Sequence, residues 1–572
     1  MYIETVPNRN SRPAILLREG WREGRKIRKR TLANLTDWPV HKVEALRRVL
    51  KDEPLLAPAE TFLIERSLPH GHVEAVLEMI KRLGLDQLIA AKRTRPRDLV
   101  VAMIVERLIQ PCSKLATTRR WQSTTLAEWL AVGDANEKEL YQAMDWLLAR
   151  QARIEKKLAA RHWGEGSQVL YDVSSSYYEG HTCPLAQLGY SRDRKRGKRI
   201  IVYGVLTDLQ GRPTAIEVYP GNTGDPTTVA DQVDKIKHRF GLQRVILVGD
   251  RGLLTQTQIE SLKPQPGIGW ISALRTEKVR QLFDQEYLPR SPEPPPLVEI
   301  SCPEFPDERL IACFNPLLAQ KRRRKRNDLL QATEQALEKL VNHVQHRTKT
   351  PLRAADIGTK VGKVINRFHV GKHFATVIAD GHFRYTRRTE TIDREAELDG
   401  WYVIRTSESQ QTLSAADTVR TYKTLAQVER VFRTLKGREI QIRPIHHRTE
   451  ARVRAHLFIC LLAYYVEWHL RQAWAPLLFD DPSLPVDRHH RDPVAPAQPS
   501  AAAKHKKGAR VTADGWPVHS FTTLMTELGT RCRHRCRLKS DPQSPVFVQD
   551  TQPTPLQAHA LELIRLLPVP GN

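Results

Sequence analysis

The period of hydrophobic and polar positions changes several times along the chain, and each change marks an element boundary. Residues 1–60 are basic, with the run REGRKIRKR at 22–30, and carry no clear period. From about 70 to 165 the period is helical. Val73, Val76, Leu77 and Ile80 recur at i, i+3, i+4 and i+7. Pro96 opens a second run through Leu99, Met103, Val105 and Leu108, which stops at Pro111. Ser113 is placed to cap the next helix, which holds Trp121 and Leu126, and a further long helix is predicted over 140–162. The pattern predicts an all-helical N-terminal domain.

The period then shortens. QVLYDVS (168–174), KRIIVYGVLTD (198–208) and PTAIEVYPGN (213–222) read as strands, and the tight turn LQGRP makes the last two a hairpin. A helix follows over 226–240, with Val229, Val233 and Ile236 on one face, and then a short apolar strand, RVILVGD (244–250), of the kind buried inside a sheet. Between 265 and 400, short strand-like pieces (GWISALR, VEISC, DERLIACF, GWYVIRTS) alternate with proline clusters such as 292–296, and one basic helical stretch, about 320–345, interrupts them. Two helices come next, YKTLAQVERVFRTLK (422–436) and an apolar one over 451–473. After Pro476 the composition turns to Pro, His, Ala and Lys, which predicts a linker or disorder with short helices near 520–528 and 555–567. No internal repeat is visible.

Charge narrows the function. Of 572 residues, Lys and Arg number 90 and Asp and Glu 64, a net charge of +26. A surplus of that size suits a polyanionic partner, because neutralising phosphates releases counterions. The longest apolar run, 457–466, has ten residues, too few to span a bilayer, so no membrane is expected. The first residues lack the apolar core of a secretory signal. Seven scattered cysteines do not make a disulfide framework. The expected location is cytoplasmic.

Candidate chemistry lies in three acids. On a helix, seven residues fall about 20° short of two turns, so Tyr422, Glu429 and Lys436 form one stripe with Arg433 beside it. Leu425, Val428, Phe432 and Leu435 form an adjoining apolar face. Taken alone, Glu429 reads as a solvated partner of Arg433. Asp172 and Asp250 each follow an apolar strand, which by itself reads as turn chemistry. If those two strands are neighbours, both aspartates emerge at one edge, and a helix packed on the sheet can bring Glu429 over them. Three converging carboxylates demand a cation, and hard oxygen donors suit Mg²⁺ or Mn²⁺. Two such ions can activate an attacking oxygen and stabilise a leaving one. The other metal candidate, RCRHRCR (531–537), lacks zinc-ligand spacing, and His446–His447 and His489–His490 have no partners at ligand spacing and read as polar surface.

The stretch YKTLAQVERVFRTLK resembles the signature helix of bacterial DDE insertion-sequence transposases of the superfamily named after insertion sequence four. That helix reads Tyr, two residues, Arg, three residues, Glu, six residues, Lys. Tyr422, Glu429 and Lys436 match in type and spacing, whereas Leu425 stands where the family has Arg. QPCSKLATTRRW (110–121), LYDVSSSYYEG (170–180), the block from 189 to 229 and LVGDRGLLT (247–255) are similar to the long-chain branch of the same superfamily.

The resemblance implies an α/β fold: an RNase H-like mixed-sheet catalytic core, a β-rich insertion domain and an all-α N-terminal domain. The expected division is 1–165 as a helical DNA-binding domain, 166–265 and 399–475 as the two parts of the core, 266–398 as the insertion, and 476–572 as a tail. The catalytic and metal-binding triad would be Asp172, Asp250 and Glu429, holding two Mg²⁺ ions, with Mn²⁺ able to substitute. The implied reaction is cleavage at terminal inverted repeats by water, followed by attack of the freed 3′-hydroxyl on target DNA. Expected DNA contacts are Tyr422, Arg433, Lys436, Arg251 and, from the basic loop SRDRKRGKR (191–199), Arg194, Lys195, Arg196 and Lys198. KRRRKR (321–326) is a further candidate, PCSKLATTRRW can form a helix-turn-helix corner, and Asp225 is expected to cap the helix that follows it. The partners would be double-stranded DNA and a second copy of the chain in a homodimer. Two rivals stay open: an RNase H-like structure-specific nuclease, and a retired transposase that only binds DNA.

Overall fold

The computed structural model describes residues 1–9, 11–53, 61–290, 295–481, 483, 491–539, 541 and 543–568. Residues 292–294 of the proline cluster and His489–His490 lie outside the described residues. The chain forms two compact units, one of Met1–His70 with Thr530–Pro553, the other of Gly71–Gly529 with Thr554–Asn572.

In the first unit, β1 (Tyr2–Val6), β2 (Ala14–Glu23) and β3 (Lys26–Asn34) make an antiparallel meander, followed by α1 (Val40–Leu50). This corrects the expectation of a helical domain over 1–165. Much of what these strands display is charge, and cross-strand pairs carry it: Arg18 to Glu4 at 2.8 Å and Arg30 to Glu19 at 3.1 Å. β3 and the end of β2 are exposed and have no apolar alternation to announce them. A second sheet pairs β4 (Phe62–Pro69) with Cys532–Leu538, which pairs in turn with Phe547–Asp550.

The second unit opens with seven helices: α2 (Gly71–Arg82), α3 (Leu85–Ile89), α4 (Arg95–Ile109), α5 (Lys114–Arg120), α6 (Leu126–Leu130), α7 (Glu137–Leu148) and α8 (Gln151–His162). Ser113 caps α5 as expected, accepting the Ala116 N–H at 3.2 Å, but the helix does not hold Trp121 and Leu126: it stops at Arg120, and Leu126 opens α6. The single helix predicted over 140–162 is two. The Arg150 N–H turns to the Leu147 carbonyl, while its guanidinium takes the Trp146 carbonyl that a continuing helix would use.

An eight-stranded mixed sheet carries the rest. Its central strands are β5 (Ser167–Tyr177), β6 (Ile200–Thr207), β7 (Pro213–Pro220), β8 (Val245–Val248) and β9 (Ile268–Ala273). β5, β6 and β7 are consecutive antiparallel neighbours, and β8 lies on the other side of β5, parallel to both β5 and β9. The helix predicted over 226–240 is a 3₁₀ turn, α9 (Val229–Asp234) and a π turn in succession. α10 (Gln256–Leu262) joins β8 to β9.

The 266–398 segment differs from its β-rich expectation. It contains α11 (Thr276–Asp284), β10 (Leu297–Ile300), β11 (Arg309–Phe314), α12 (Pro316–Gln345), α13 (Ala354–Phe368), the hairpin β12 (Phe374–Ala379) and β13 (His382–Arg387), and α14 (Thr389–Ala396). Helix predominates over strand. β10 and β11 form no sheet of their own; they extend the central sheet through β14 (Trp401–Thr406), which pairs with β9.

Then come α15 (Ala415–Lys423), α16 (Leu425–Lys436) and α17 (Glu450–Ala473). Every residue of the apolar run 457–466 is buried, and α17 packs on α4, α7 and β7. Among the described residues no helix is long and apolar enough to cross a membrane. The tail is more ordered than a linker. After α18 (Ala501–Ala509), α19 (Phe521–Gly529) and α20 (Pro555–Leu566) bury Phe521, Leu524, Leu528, Ala560 and Ile564 in the core that α17 centres.

Candidate active site

Register sets the two aspartates side by side. β5 and β8 run parallel with Leu170 opposite Val248, so continuing the ladder two residues puts Asp172 level with Asp250. The loop beyond β8 is tight. Asp250 Oδ1 accepts the N–H groups of Gly252 at 2.9 Å and Leu253 at 2.7 Å, and the Asp250 carbonyl accepts Ser272 Oγ at 3.2 Å. Gly249 permits the turn, since a Cβ there would stand 2.9 Å from Leu254 Cγ.

Asp172 is half-buried, and its Oδ1 accepts the Val173 N–H at 2.7 Å. Burial pushes its carboxyl up to about 7; the charges of Asp250 and Asp225 push the same way, while Arg192 and the Val173 N–H oppose.

Glu429 arrives on α16. Val428, Val431, Phe432 and Leu435 are buried, α16 packs on β5, and the Phe432 ring lies 5.9 Å from that of Tyr203. Glu429 and Arg433 stand exposed on the other face. The predicted single helix over 422–436 is broken. Thr424 Oγ1 bonds back to the Thr421 carbonyl at 2.6 Å, α15 ends at Lys423, and Tyr422 therefore sits on α15. Tyr422 links the acids: burial first, then the charges of Asp250 and Glu429, raise its hydroxyl to about 12, and Arg251 opposes. Among the described residues, no three His, Cys, Asp or Glu side chains stand close enough together to hold a metal ion. Asp172 is coupled to Asp250, and Tyr422 feels both Asp250 and Glu429, without a formed chelate.

The basic side chains divide into exposed and engaged. Arg251, Arg194, Lys195, Arg196 and Lys198 are exposed, with Lys198 Nζ 3.6 Å from Glu179. Lys436 is engaged: its Nζ donates to Asp193 Oδ1 at 3.2 Å. Within KRRRKR, Arg326 is buried in a two-pronged pair with Asp399, and Arg322 donates to the Leu398 and Trp401 carbonyls at 3.0 and 3.2 Å. The remaining four, Lys321, Arg323, Arg324 and Lys325, are exposed. Asp225 does not cap a helix; Gly224 is the N-cap, and the Asp225 carboxylate binds Arg192. His447 is half-buried against the His456 ring, centroids 4.9 Å apart, rather than free polar surface. Sequence reasoning missed Asp193, Arg192 and Arg443. The available signal was a single acid inside a run of six bases.

A family model for the transposase DDE domain matches residues 163–466, more than half of the chain. The chain belongs to the DDE transposases. The N-terminal domain of IS1634 family transposases matches residues 3–56, which marks this DDE transposase as an insertion-sequence enzyme. As a DDE transposase it cleaves DNA in transposition, a reaction for which DDE domains use divalent metal ions. No curated protein matches the chain. Similar solved structures include a cryo-EM structure of the piggyBac transposase synaptic complex with hairpin DNA, at 9% identity, TM-score 0.34, covering 80% of this chain and 77% of that one. A score that low carries no weight for the fold or for the partner.

Proposed function

We propose that Asp172, Asp250 and Glu429 are the acid triad of this transposase, on an RNase H-like core. The strand order β7-β6-β5-β8-β9 supports that core: three antiparallel strands with two parallel ones added beside the first. On this reading 166–265 and 399–475 form the catalytic body, and 266–398 is an insertion that extends its sheet. The observation that carries the proposal is the parallel register of β5 and β8, which, continued past the end of β8, brings Asp250 level with Asp172 within β5.

The donor set fits a divalent cation. Burial and two neighbouring carboxylates hold Asp172 well above the usual carboxylate range, the state a bound cation would relieve. Asp172 and Asp250 would hold Mg²⁺ or Mn²⁺ from the sheet, and Glu429, exposed on three rotatable bonds, would close the set from α16. Two such ions, when bound, would supply Lewis acidity to the attacking and leaving oxygens of an in-line displacement at phosphorus. The chain's own residues hold the DNA. Arg251 and Arg433 flank the acids, Arg194, Lys195, Arg196 and Lys198 line the strap between β5 and β6, and α12 adds its exposed bases. Arg322 lies within electrostatic reach of Arg251, which supports one continuous basic surface. The substrate is DNA at the element's terminal inverted repeats, cut by water and then joined to target DNA through the freed 3′-hydroxyl. Two ends cut in concert call for a homodimer.

The test uses purified protein, Mn²⁺ and a duplex carrying the nucleotide sequence that borders the gene. Cleavage is expected from the natural chain and none from Asp172→Asn, which still binds the duplex. Cleavage persisting in that variant would falsify the triad.

A further inference from the structure

The loop between β5 and β6 is clasped on both sides. Arg192 binds Asp225 beyond β7, and the next residue, Asp193, turns the other way. Its side chain is 2% exposed and accepts the Tyr177 N–H at 3.0 Å, Lys436 Nζ at 3.2 Å and Arg443 Nη1. Lys436 ends α16 and Arg443 follows it. The segment holding Arg443 is fixed beside the end of β5, since the Ile445 N–H donates to the Tyr177 carbonyl at 3.3 Å and the Glu179 N–H to the Ile445 carbonyl at 2.9 Å. Two cations therefore meet one anion, and one positive charge is left over. Arg443 is the more accessible cation, its side chain 30% exposed against 12% for Lys436. A guanidinium offers five N–H donors, and Nη1 is committed to Asp193.

We propose that Arg443 is a further DNA-phosphate contact of this transposase, and that Asp193 is its positioning residue. Asp193 cancels one of two neighbouring like charges, so both cations stand close together. It also fixes the guanidinium plane, leaving the rest of the fork for a backbone phosphate. The phosphate would lie toward the β5 end of the DNA path, beyond Asp172 along the strand. The inference rests on the reading that this face of the sheet takes DNA.

The experiment measures binding to a fluorescein-labelled duplex bearing the sequence that borders the gene, over a range of salt, with Asp172→Asn as the parent so that the DNA stays uncut. Each phosphate contact contributes about 0.9 to the slope of log K against log salt. Arg443→Gln is expected to lower the parent's slope by about that amount. With Asp193→Asn already in place, Arg443→Gln should change the slope far less, because an unanchored Arg443 no longer makes the contact. If circular dichroism shows Asp193→Asn unfolded, Asp193→Ser replaces it. In Lys436→Met, Asp193 still holds Arg443, and Arg443→Gln should again cost about 0.9. A slope unmoved by Arg443→Gln on a salt-sensitive parent overturns the contact. An equal loss with and without the Asp193 carboxylate overturns the positioning role. A parent whose binding ignores salt overturns instead the DNA-face reading beneath both.

Discussion

Lys114 shows how far a residue can depart from its sequence setting. It opens α5 in a stretch that reads as a DNA-binding corner, yet it is 4% exposed. Burial, then the charge of Arg107, pulls its amine from 10.5 down to about 7. The unfolded lysine keeps its proton up to about 10.5, so the folded state loses stability as pH falls from there toward 7. Lys114→Met should therefore stabilise the protein by about 2–4 kcal/mol at neutral pH, with the gain fading as pH approaches 10.5. Melting curves across that range check it, and a methionine variant that melts earlier at pH 7 would refute it. Asp250 was legible because it follows an apolar strand; Asp172 was expected to end one too, but β5 runs on past it to Tyr177. Asp193 was not legible, because its partners lie 243 and 250 positions away and only the fold brings them together.

At the scale of the element, α16 divides a buried apolar face from an exposed polar one. Leu435 is fully buried, and Leu435→Ala should cost about 2–4 kcal/mol in denaturant unfolding. Glu429 is exposed, and Glu429→Gln should leave the unfolding midpoint unchanged while removing DNA cleavage. A midpoint that moved as far for Glu429→Gln as for Leu435→Ala would mean the carboxylate serves the fold. The apolar face of α16 was readable from its spacing. The break at Thr424 was not, because the period runs straight through it. The meander β1–β3 stayed hidden for a related reason, since β3 and the end of β2 are exposed and largely charged and show no apolar alternation.

For the whole molecule, the two units should melt separately. Few apolar side chains are buried in the unit that holds β1–β4, chiefly Leu35, Val43, Leu68 and Cys536, whereas the larger unit has an extensive core. Calorimetry should record a small transition at lower temperature and a large one above it; one cooperative peak would contradict this. Mg²⁺ or Mn²⁺ should raise the upper transition, chelator should reverse the shift, and Asp172→Asn should show neither response. Composition made the polyanionic partner legible, and three strands, a helix and a strand made the centre of the sheet legible. The recruitment of β10 and β11 to that sheet was not, because pairing across so long an excursion leaves no mark in local pattern.

The strand Cys532–Leu538 closes a sheet with β4, almost the whole length of the chain away. A ribosome must therefore translate the whole DDE domain, residues 163–466, before β4 can gain this neighbour. Gene copies truncated at the 3′ side would leave β4 with an unpaired edge, so decayed insertions should yield products that aggregate or are degraded rather than stable fragments competing for the element's ends.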